Sequence, residues 1–342
     1  MWAYYLVSGM KLPERRVRLS ITVFWMMAAI LRFVLDNDLA RPLSTWDEEI
    51  YFNVARNVLD GRWLIPELSL ASHPLGVIDP YLHKPPLAYW IQASAMGVGG
   101  ETPAVARLPS LIAMSGVVGV TVLLACRLSR PAAGVLAGGL LTFTPALSVT
   151  HGAVSVATDP FLLLFGFTAV YCLVLYVEVG AERWAWIAGV GYGAAILTKQ
   201  VAAAPFGLFV LGYLYRYRDQ VGWRGFGRVV AGGVVTVAPW FLVVALVEFR
   251  ELVDQMFLNQ ALGRATGEQY TGGDGLIRYP YLRNVRGYFG WPMMGLPLAA
   301  LVTGVRERLV GQLSDVDVLM WPLGVGVVGT YLFVGNHPWY IM

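Results

Sequence analysis

The sequence predicts an all-α fold: a polytopic transmembrane helical bundle of about nine spans, formed as a single domain over residues 1–342. Of the 342 residues, 57% are hydrophobic and 14% are charged, whereas soluble domains carry about 25% charged residues. Apolar residues recur in runs of about 16–24, the length that crosses a bilayer as a helix. The 12 Trp and 17 Tyr suit the belts at membrane interfaces. Because backbone groups in lipid must pair within their own segment, these runs should be helices.

The basic residues predict the orientation of the bundle. The apolar run 86–99 is short for a span and begins with prolines, so we expect an interfacial helix there. If the segment 86–99 does not cross the bilayer, the arginines of 216–228 lie on the same side of the membrane as the basic segment 11–18. This arrangement satisfies the positive-inside rule. The N-terminus should then be cytoplasmic, in the plasma membrane, with long outer loops at 36–103 and 248–289. The predicted spans are 19–35, 104–126, 132–151, 161–177, 184–198, 202–215, 229–247, 290–304 and 318–334.

Composition also narrows the expected partners. A net charge of +3 gives no argument for nucleic acid, so membrane lipids are the expected surroundings. Cys126 and Cys172 both fall inside apolar runs, where we expect buried thiols rather than a disulfide. The chain has no glycine-rich phosphate loop, and a nucleotide sugar is therefore not an expected ligand.

The first outer loop contains an amphipathic helix near Asp47. Thr45 and Glu48 have the spacing of a capping box, and Ile50, Val54 and Val58 share one face. We expect this helix to lie along the outer membrane surface. An acidic residue in the first turn stabilises a helix by about 0.3–1 kcal/mol. Asp47 is therefore either a helix-start residue or a functional carboxylate on a rigid element.

Lys84 lies further along the same loop, between His83 and two prolines that fix the backbone. Lys84 could be an ordinary lysine that reaches lipid phosphates from the interface. It could equally be held against one specific lipid-linked phosphate. His83 is either a polar interfacial residue or, together with Glu48, part of a divalent metal site.

Several motifs together resemble one family. Asp159 follows Ala157-Thr158, and Leu197-Thr198-Lys199 is followed by Gln200 where the family has glycine. In order and spacing, the motifs resemble those of the protein O-mannosyltransferase and aminoarabinose transferase superfamily, which are membrane glycosyltransferases of the C-type fold that use polyprenyl-phosphate sugars. The matching segments are 46–51, 55–56, 83–87, 106–110, 157–162, 197–200, 259–264 and 336–340.

The resemblance implies roles for particular residues. Asp47 matches the catalytic aspartate, which would take the proton of an acceptor hydroxyl, and Asp159 is a second candidate. Cations must meet the charge that grows on a phosphate leaving group. The candidates for donor-phosphate binding are Lys84, Arg264 and Lys199; the candidate supporting residues are Glu48, Arg56, Arg107 and Tyr89; and His83 is the candidate metal ligand. Arg107 is expected to orient Asp47 or Asp159.

The expected activity is transfer of a sugar from a dolichyl- or undecaprenyl-phosphate donor to a protein, lipid or glycan acceptor outside the membrane. Inversion at the anomeric carbon is implied by the resemblance. The alternatives are an inactive scaffold of the same fold and a transporter, which would show broken helices in two related halves. The family's later motif, Asn336–Tyr340, is followed by two residues. We therefore expect the chain to lack a C-terminal part that its relatives possess.

Overall fold

A computed structural model describes residues 12–44, 47–70, 75–148 and 151–263. These residues are mainly helical, and the helices are α1 (Leu12–Leu35), α2 (Asp47–Leu59), α3 (Leu87–Gly99), α4 (Pro103–Leu128), α5 (Pro131–Thr142), α6 (Asp159–Val179), α7 (Glu182–Thr198), α8 (Ala204–Arg216), α9 (Arg218–Val247) and the single turn α10 (Phe249–Glu251). Short 3-10 turns occupy Pro145–Leu147 and Val201–Ala203, and a π-helical segment runs over Leu252–Gly263.

Four helices within the described residues are long and apolar enough to cross a membrane: α1 from Glu14, α4, α6 and α9. The predicted spans 184–198 and 202–215 correspond to the shorter helices α7 and α8. The predicted span 132–151 is too long, because α5 ends at Thr142 just before Thr144-Pro145. A residue that precedes proline is disfavoured in helical conformation, which explains that end. The spans 290–304 and 318–334 lie outside the described residues, so the count of nine stays a prediction.

The long helices pack in a chain of neighbours. Helix α4 packs against α1, α5 and α6, and α7 packs between α6 and α9. Glycines allow α7 and α9 to approach closely: a Cβ on Gly189 would lie 2.1 Å from the carbonyl oxygen of Val229, and one on Gly232 would lie 2.7 Å from that of Trp186. Small residues at such crossings are typical of membrane helix pairs, which gain their stability from close packing.

The amphipathic helix predicted after Thr45 is present as α2, but its apolar face has a different environment from the one we expected. Ile50, Val54 and Val58 are buried in a core shared with α3 and the first strand, so this face packs against protein rather than lipid. Leu59, at the helix end, is exposed instead. Thr45, the predicted capping residue, lies outside the described residues. Ser44 donates to Glu48 instead, through both its backbone N–H and its hydroxyl, each at 2.8 Å.

A small β-hairpin, which the sequence did not predict, accompanies the helices. Strands β1 (Leu68–Leu70) and β2 (Gly76–Ile78) pair antiparallel, with Ser69 opposite Val77. Asn53 of α2 extends the pairing, because its Oδ1 accepts from the Ser69 N–H at 2.8 Å and its Nδ2 donates to the Ser69 carbonyl at 3.3 Å. Strands of three residues are too short to show an alternating pattern in the sequence.

Candidate active site

Asp47 is the first residue of α2. Its Oδ2 accepts a hydrogen bond from the Tyr51 hydroxyl at 3.2 Å, one helical turn along, and lies 3.4 Å from Nε2 of His151. The Asp47 side chain remains 34% exposed. Among the described residues, this carboxylate is therefore held by Tyr51 and His151 and is partly exposed.

Asp159 and Lys199 form a buried ion pair behind Asp47. Asp159 is the first residue of α6, where Pro160 suits the first helical turn, and Lys199 directly follows the last residue of α7. Lys199 Nζ donates to Asp159 Oδ1 at 2.7 Å, and both side chains are about nine-tenths buried. The other oxygen, Oδ2, lies 3.6 Å from Nδ1 of His151 and has no hydrogen-bond partner among the described residues.

Lys84 reaches the same group of residues from the loop before α3. Its ammonium lies 4.1 Å from the centroid of the Tyr51 ring, a cation–π contact, and the residue is buried. The preceding loop is held by Gln255 of the π-helical segment, which accepts from the Leu82 N–H and donates to the Pro80 carbonyl, both at 2.9 Å. Tyr51 therefore contacts both Asp47 and Lys84.

Arg107 contacts Glu48, not Asp47 or Asp159 as we expected. Its side chain is fully buried in α4 and forms a two-pronged ion pair with Glu48, with N–O distances of 2.8 and 3.1 Å. The remaining N–H groups donate to the carbonyls of Leu39, Arg41 and Pro42. A guanidinium has five N–H donors, and these contacts occupy all of them. The role of Arg107 is to tie α4 to α2 and to the chain before it.

Both carboxylate oxygens of Glu48 are likewise occupied by hydrogen bonds. Besides Arg107 and Ser44, it accepts a hydrogen bond from the Val156 N–H at 3.0 Å. Burial by itself raises the pKa of Glu48, but the hydrogen bonds from Arg107, Ser44 and Val156 outweigh it and hold that pKa below the usual value. Since its oxygens are occupied by these donors, Glu48 cannot also bind a metal ion beside His83.

The fit of a divalent metal ion is poor in the part of the chain that the structure describes. No group of three or more His, Cys, Asp or Glu side chains there has the geometry to hold one. The His83 ring instead packs 4.9 Å from that of Tyr81, and its carbonyl accepts from Gln200 at 3.4 Å. No step of the chemistry is therefore assigned to a metal.

The loop that joins α5 to α6 is pinned from several sides. Gln92 of α3 donates to the Ala157 carbonyl at 3.0 Å, and Arg41 donates to the Val154 carbonyl at 3.2 Å. The Ser110 hydroxyl of α4 lies 3.4 Å from both the N–H and the carbonyl of Ala157. These contacts, with that from Glu48, position the backbone on either side of His151 and Asp159.

The remaining predicted residues lie in different places. Tyr89 is fully buried, with its ring centroid 6.0 Å from Tyr51 and 6.3 Å from Tyr81. Burial raises the pKa of Tyr89 well above its usual value, so it serves as a neutral wall of the site. Arg56 is exposed on α2, away from the group around Asp47. Arg264 lies outside the described residues.

Sequence reasoning missed His151 and Gln255. We had placed His151 as the last residue of the predicted span 132–151. An ionisable residue at the end of a span, on the same side of the membrane as Asp159, is a signal of a functional site that could have identified it. Burial lowers the pKa of His151, and the charges of Asp159 and Asp47 partly oppose that shift. Gln255 had no motif to mark it.

The arrangement resembles known membrane enzymes. Residues 83–244 match the family model of dolichyl-phosphate-mannose-protein mannosyltransferase. Over these residues, slightly less than half of the chain, the sequence is similar to that family, and the fold is that of the C-type membrane glycosyltransferases. The resemblance found in the sequence motifs is therefore confirmed. No curated protein matches the sequence.

Solved structures agree with this C-type glycosyltransferase fold. ArnT from Cupriavidus metallidurans in the apo state has a TM-score of 0.66 at 20% identity, over 93% of this chain and 56% of ArnT. ArnT bound to undecaprenyl phosphate has a TM-score of 0.67 at 22% identity, over 93% and 57%. The Archaeoglobus fulgidus oligosaccharyltransferase has a TM-score of 0.54 at 12% identity, over 95% and 48%. The chain thus spans little more than half the length of the two ArnT structures.

Proposed function

We propose that this chain is a membrane glycosyltransferase that moves a sugar from a polyprenyl-phosphate donor to a hydroxyl of a protein, lipid or glycan acceptor. The observation that carries the proposal is the shared contact of Tyr51. Its hydroxyl binds Asp47 at 3.2 Å while its ring lies 4.1 Å from the Lys84 ammonium. A base for the acceptor and a cation for the donor phosphate therefore lie within reach of one another.

The acceptor oxygen attacks the anomeric carbon and passes its proton to Asp47. The bond between that carbon and the phosphate oxygen breaks, and its electron pair stays on the phosphate, whose negative charge grows. A positioned base contributes about 10²–10⁴-fold to such a step. Attack from the face opposite the phosphate inverts the anomeric centre. The exposed side of Asp47 is where the acceptor would approach.

Lys84 is the group that would bind the donor phosphate. A buried lysine in a site that excludes water attracts an anion more strongly than an exposed one. Arg264, outside the described residues, is a further candidate for the same phosphate. Lys199 is bound to Asp159 at 2.7 Å. It would therefore attract the phosphate through the electrostatic effect of its positive charge rather than by direct contact. Undecaprenyl phosphate bound to ArnT supports a polyprenyl-phosphate donor here.

The outer side of the plasma membrane is the proposed location of this chemistry. The positive-inside rule supports it, because the arginines near 216–228 lie at the end of α8 and the start of α9. Asp159 and Lys199 lie at the opposite ends of α6 and α7 from the short connection at 180–181. A cysteine introduced at position 101, in the exposed turn between α3 and α4, should react with an impermeant reagent from outside.

The decisive experiment offers undecaprenyl-phosphate-linked mannose, glucose and aminoarabinose to the protein in nanodiscs, with a membrane extract as acceptor. Release of undecaprenyl phosphate and labelling of the acceptor are measured. We expect Asp47→Asn to lose about 10²–10⁴-fold in turnover and to keep its affinity for undecaprenyl phosphate. Lys84→Ala should lose that affinity.

Asp60→Asn is the matched control, because Asp60 is an exposed aspartate directly after the same helix. It should keep both turnover and binding. Binding of undecaprenyl phosphate without transfer from any donor would favour an inactive scaffold. Full activity in Asp47→Asn would contradict the assignment of the base.

A further inference from the structure

His151 lies between the two aspartates of the site, with one on each ring nitrogen. Nε2 is 3.4 Å from Asp47 Oδ2, and Nδ1 is 3.6 Å from Asp159 Oδ2. The Asp47 side chain is 34% exposed, whereas those of His151 and Asp159 are about nine-tenths buried. A line of three titratable groups therefore leads from the accessible carboxylate into the interior.

The backbone at His151 indicates that this placement has a purpose beyond packing. Its φ is 63°, and among the described residues it is the only non-glycine residue with positive φ. Such a conformation costs about 1–3 kcal/mol and persists only where its surroundings impose it. Gly152, the next residue, would take it at little cost. The chain is held in place by the bond from the Ala153 N–H to the Leu147 carbonyl, at 2.7 Å.

Four charged side chains from different parts of the fold influence whether the His151 imidazole is neutral or protonated. Asp47 on α2 and Asp159 on α6 favour the charged imidazole, whereas burial, Lys199 at the end of α7 and Lys84 before α3 favour the neutral one. A neutral imidazole donates from one nitrogen and accepts at the other. With the proton on Nδ1 facing Asp159, the lone pair of Nε2 faces Asp47. That contact becomes a hydrogen bond only when Asp47 carries a proton.

We propose that His151 is a proton relay, a positioning residue that takes from Asp47 the proton removed from the acceptor hydroxyl. The proposal rests on the proposed function. The O–H bond of protonated Asp47 breaks and an N–H bond forms at Nε2, which restores the Asp47 carboxylate. The resulting imidazolium donates through Nδ1 to Asp159 Oδ2. After the sugar has left, the proton returns through Asp47 to solvent.

The Lys199–Asp159 pair would complete this relay. Oδ1 of Asp159 is bound by Lys199, while Oδ2 is buried and has no hydrogen-bond partner among the described residues. A buried acceptor of this kind normally has a donor. A shortening of the 3.6 Å contact by less than 1 Å would supply one when His151 becomes charged.

The first test measures the coupling of the three groups without any sugar donor. The chain has four histidines, so ¹⁵N-histidine labelling gives few signals, and His151→Gln assigns the one that disappears. We expect Asp47→Asn and Asp159→Asn each to lower the pKa of His151 and Asp159→Asn to shift its tautomer away from Nδ1–H. A His151 titration that neither variant changes would overturn the relay.

The second test separates proton transfer from simple hydrogen bonding. In His151→Asn the amide nitrogen falls near Nδ1, and in His151→Gln it falls near Nε2, but neither amide can accept a proton. Asparagine also tolerates positive φ well. With the undecaprenyl-phosphate sugar that wild type uses best, both variants should lose about 10- to 100-fold in kcat, with KM for the donor unchanged. The fall in kcat that wild type shows as His151 becomes protonated at low pH should be absent from both.

The outcomes distinguish the relay from the function on which it rests. Recovery of wild-type kcat by His151→Gln would mean that His151 only orients Asp47, and it would overturn the relay alone. Wild-type rates and pH profile in both variants would do the same. A wild-type protein that transfers no sugar from any of the three donors would overturn the proposed function, and the relay with it.

Discussion

Two adjacent residues of α2, Asp47 and Glu48, have opposite surroundings. Glu48 is buried, and its oxygens accept from Arg107, Ser44 and Val156. Asp47 is 34% exposed and has two longer contacts, at 3.2 and 3.4 Å. Glu48, which is fully bonded, ties parts of the protein together, whereas the exposed and less bonded Asp47 suits the proton-accepting role that we propose for it.

The same contrast extends to the partners of these two carboxylates. Arg107 uses all its donors on groups within the protein. The two contacts of His151 with the aspartates are longer, at 3.4 Å to Asp47 and 3.6 Å to Asp159, at or beyond the limit of an ordinary hydrogen bond. Buried polar groups are normally satisfied, and the Asp159 Oδ2 atom, which has no donor among the described residues, is the exception on which the proposed relay depends.

The largest expected effect is on stability, from Arg107→Ala. Removing one partner of a buried ion pair leaves the other charge uncompensated, which costs about 3–5 kcal/mol. Unfolding in mixed detergent–SDS micelles would measure it. Arg62→Ala is the control, since Arg62 pairs with Glu67 and Asp79 at a 54% exposed position and should cost at most about 1 kcal/mol. Equal losses in the two variants would break the contrast between Glu48 and Asp47.

Glu48→Gln should have a somewhat smaller effect that depends on pH. Because folding depresses the pKa of Glu48, its stabilisation is present above the ordinary carboxyl pKa of 4.5 and is lost as pH falls through the lower folded value. We expect a loss of about 1.5–3 kcal/mol at pH 7 that shrinks in acid. Unfolding curves of both proteins at a series of pH values would show convergence. A constant difference would mean that charge is not the cause.

Gly189→Ala tests the bundle, away from both carboxylates. The added methyl would lie 2.1 Å from the Val229 carbonyl, so α7 and α9 must separate at a cost of about 1–3 kcal/mol. Gly227→Ala is the matched control, because a Cβ there meets nothing within 4 Å. The unfolding midpoints of the two variants should therefore differ, and a tolerated Gly189→Ala would contradict the close crossing.

The smallest change in stability is expected from Asp47→Asn. Its contacts are few and partly exposed, and we expect a change below about 1 kcal/mol, although transfer should fall steeply. Measuring unfolding and turnover on one preparation sharpens the comparison. Loss of stability as large as that of Arg107→Ala would show that Asp47 also braces the fold.

Much of the fold could be predicted, because its signals are local. Runs of apolar residues predicted α1, α4, α6 and α9, and Asp47 was expected at the start of a helix, where α2 begins. The hairpin of β1 and β2 was missed because its strands have three residues each. The burial of α2 against α3 was also missed, since an apolar face does not reveal whether lipid or protein covers it.

The sequence by itself determined that the chain is a helical membrane protein whose motifs resemble those of one family, with carboxylates and lysines in a fixed order. Only the tertiary structure decided which charges meet. Glu48 and Arg107 are 59 residues apart, and Asp159 and Lys199 are 40 apart. Helical periodicity relates residues within a turn or two, whereas partners at such separations depend on how whole helices pack. For that reason Arg107 contacts Glu48 rather than its neighbour Asp47, and His151 lies between the two aspartates.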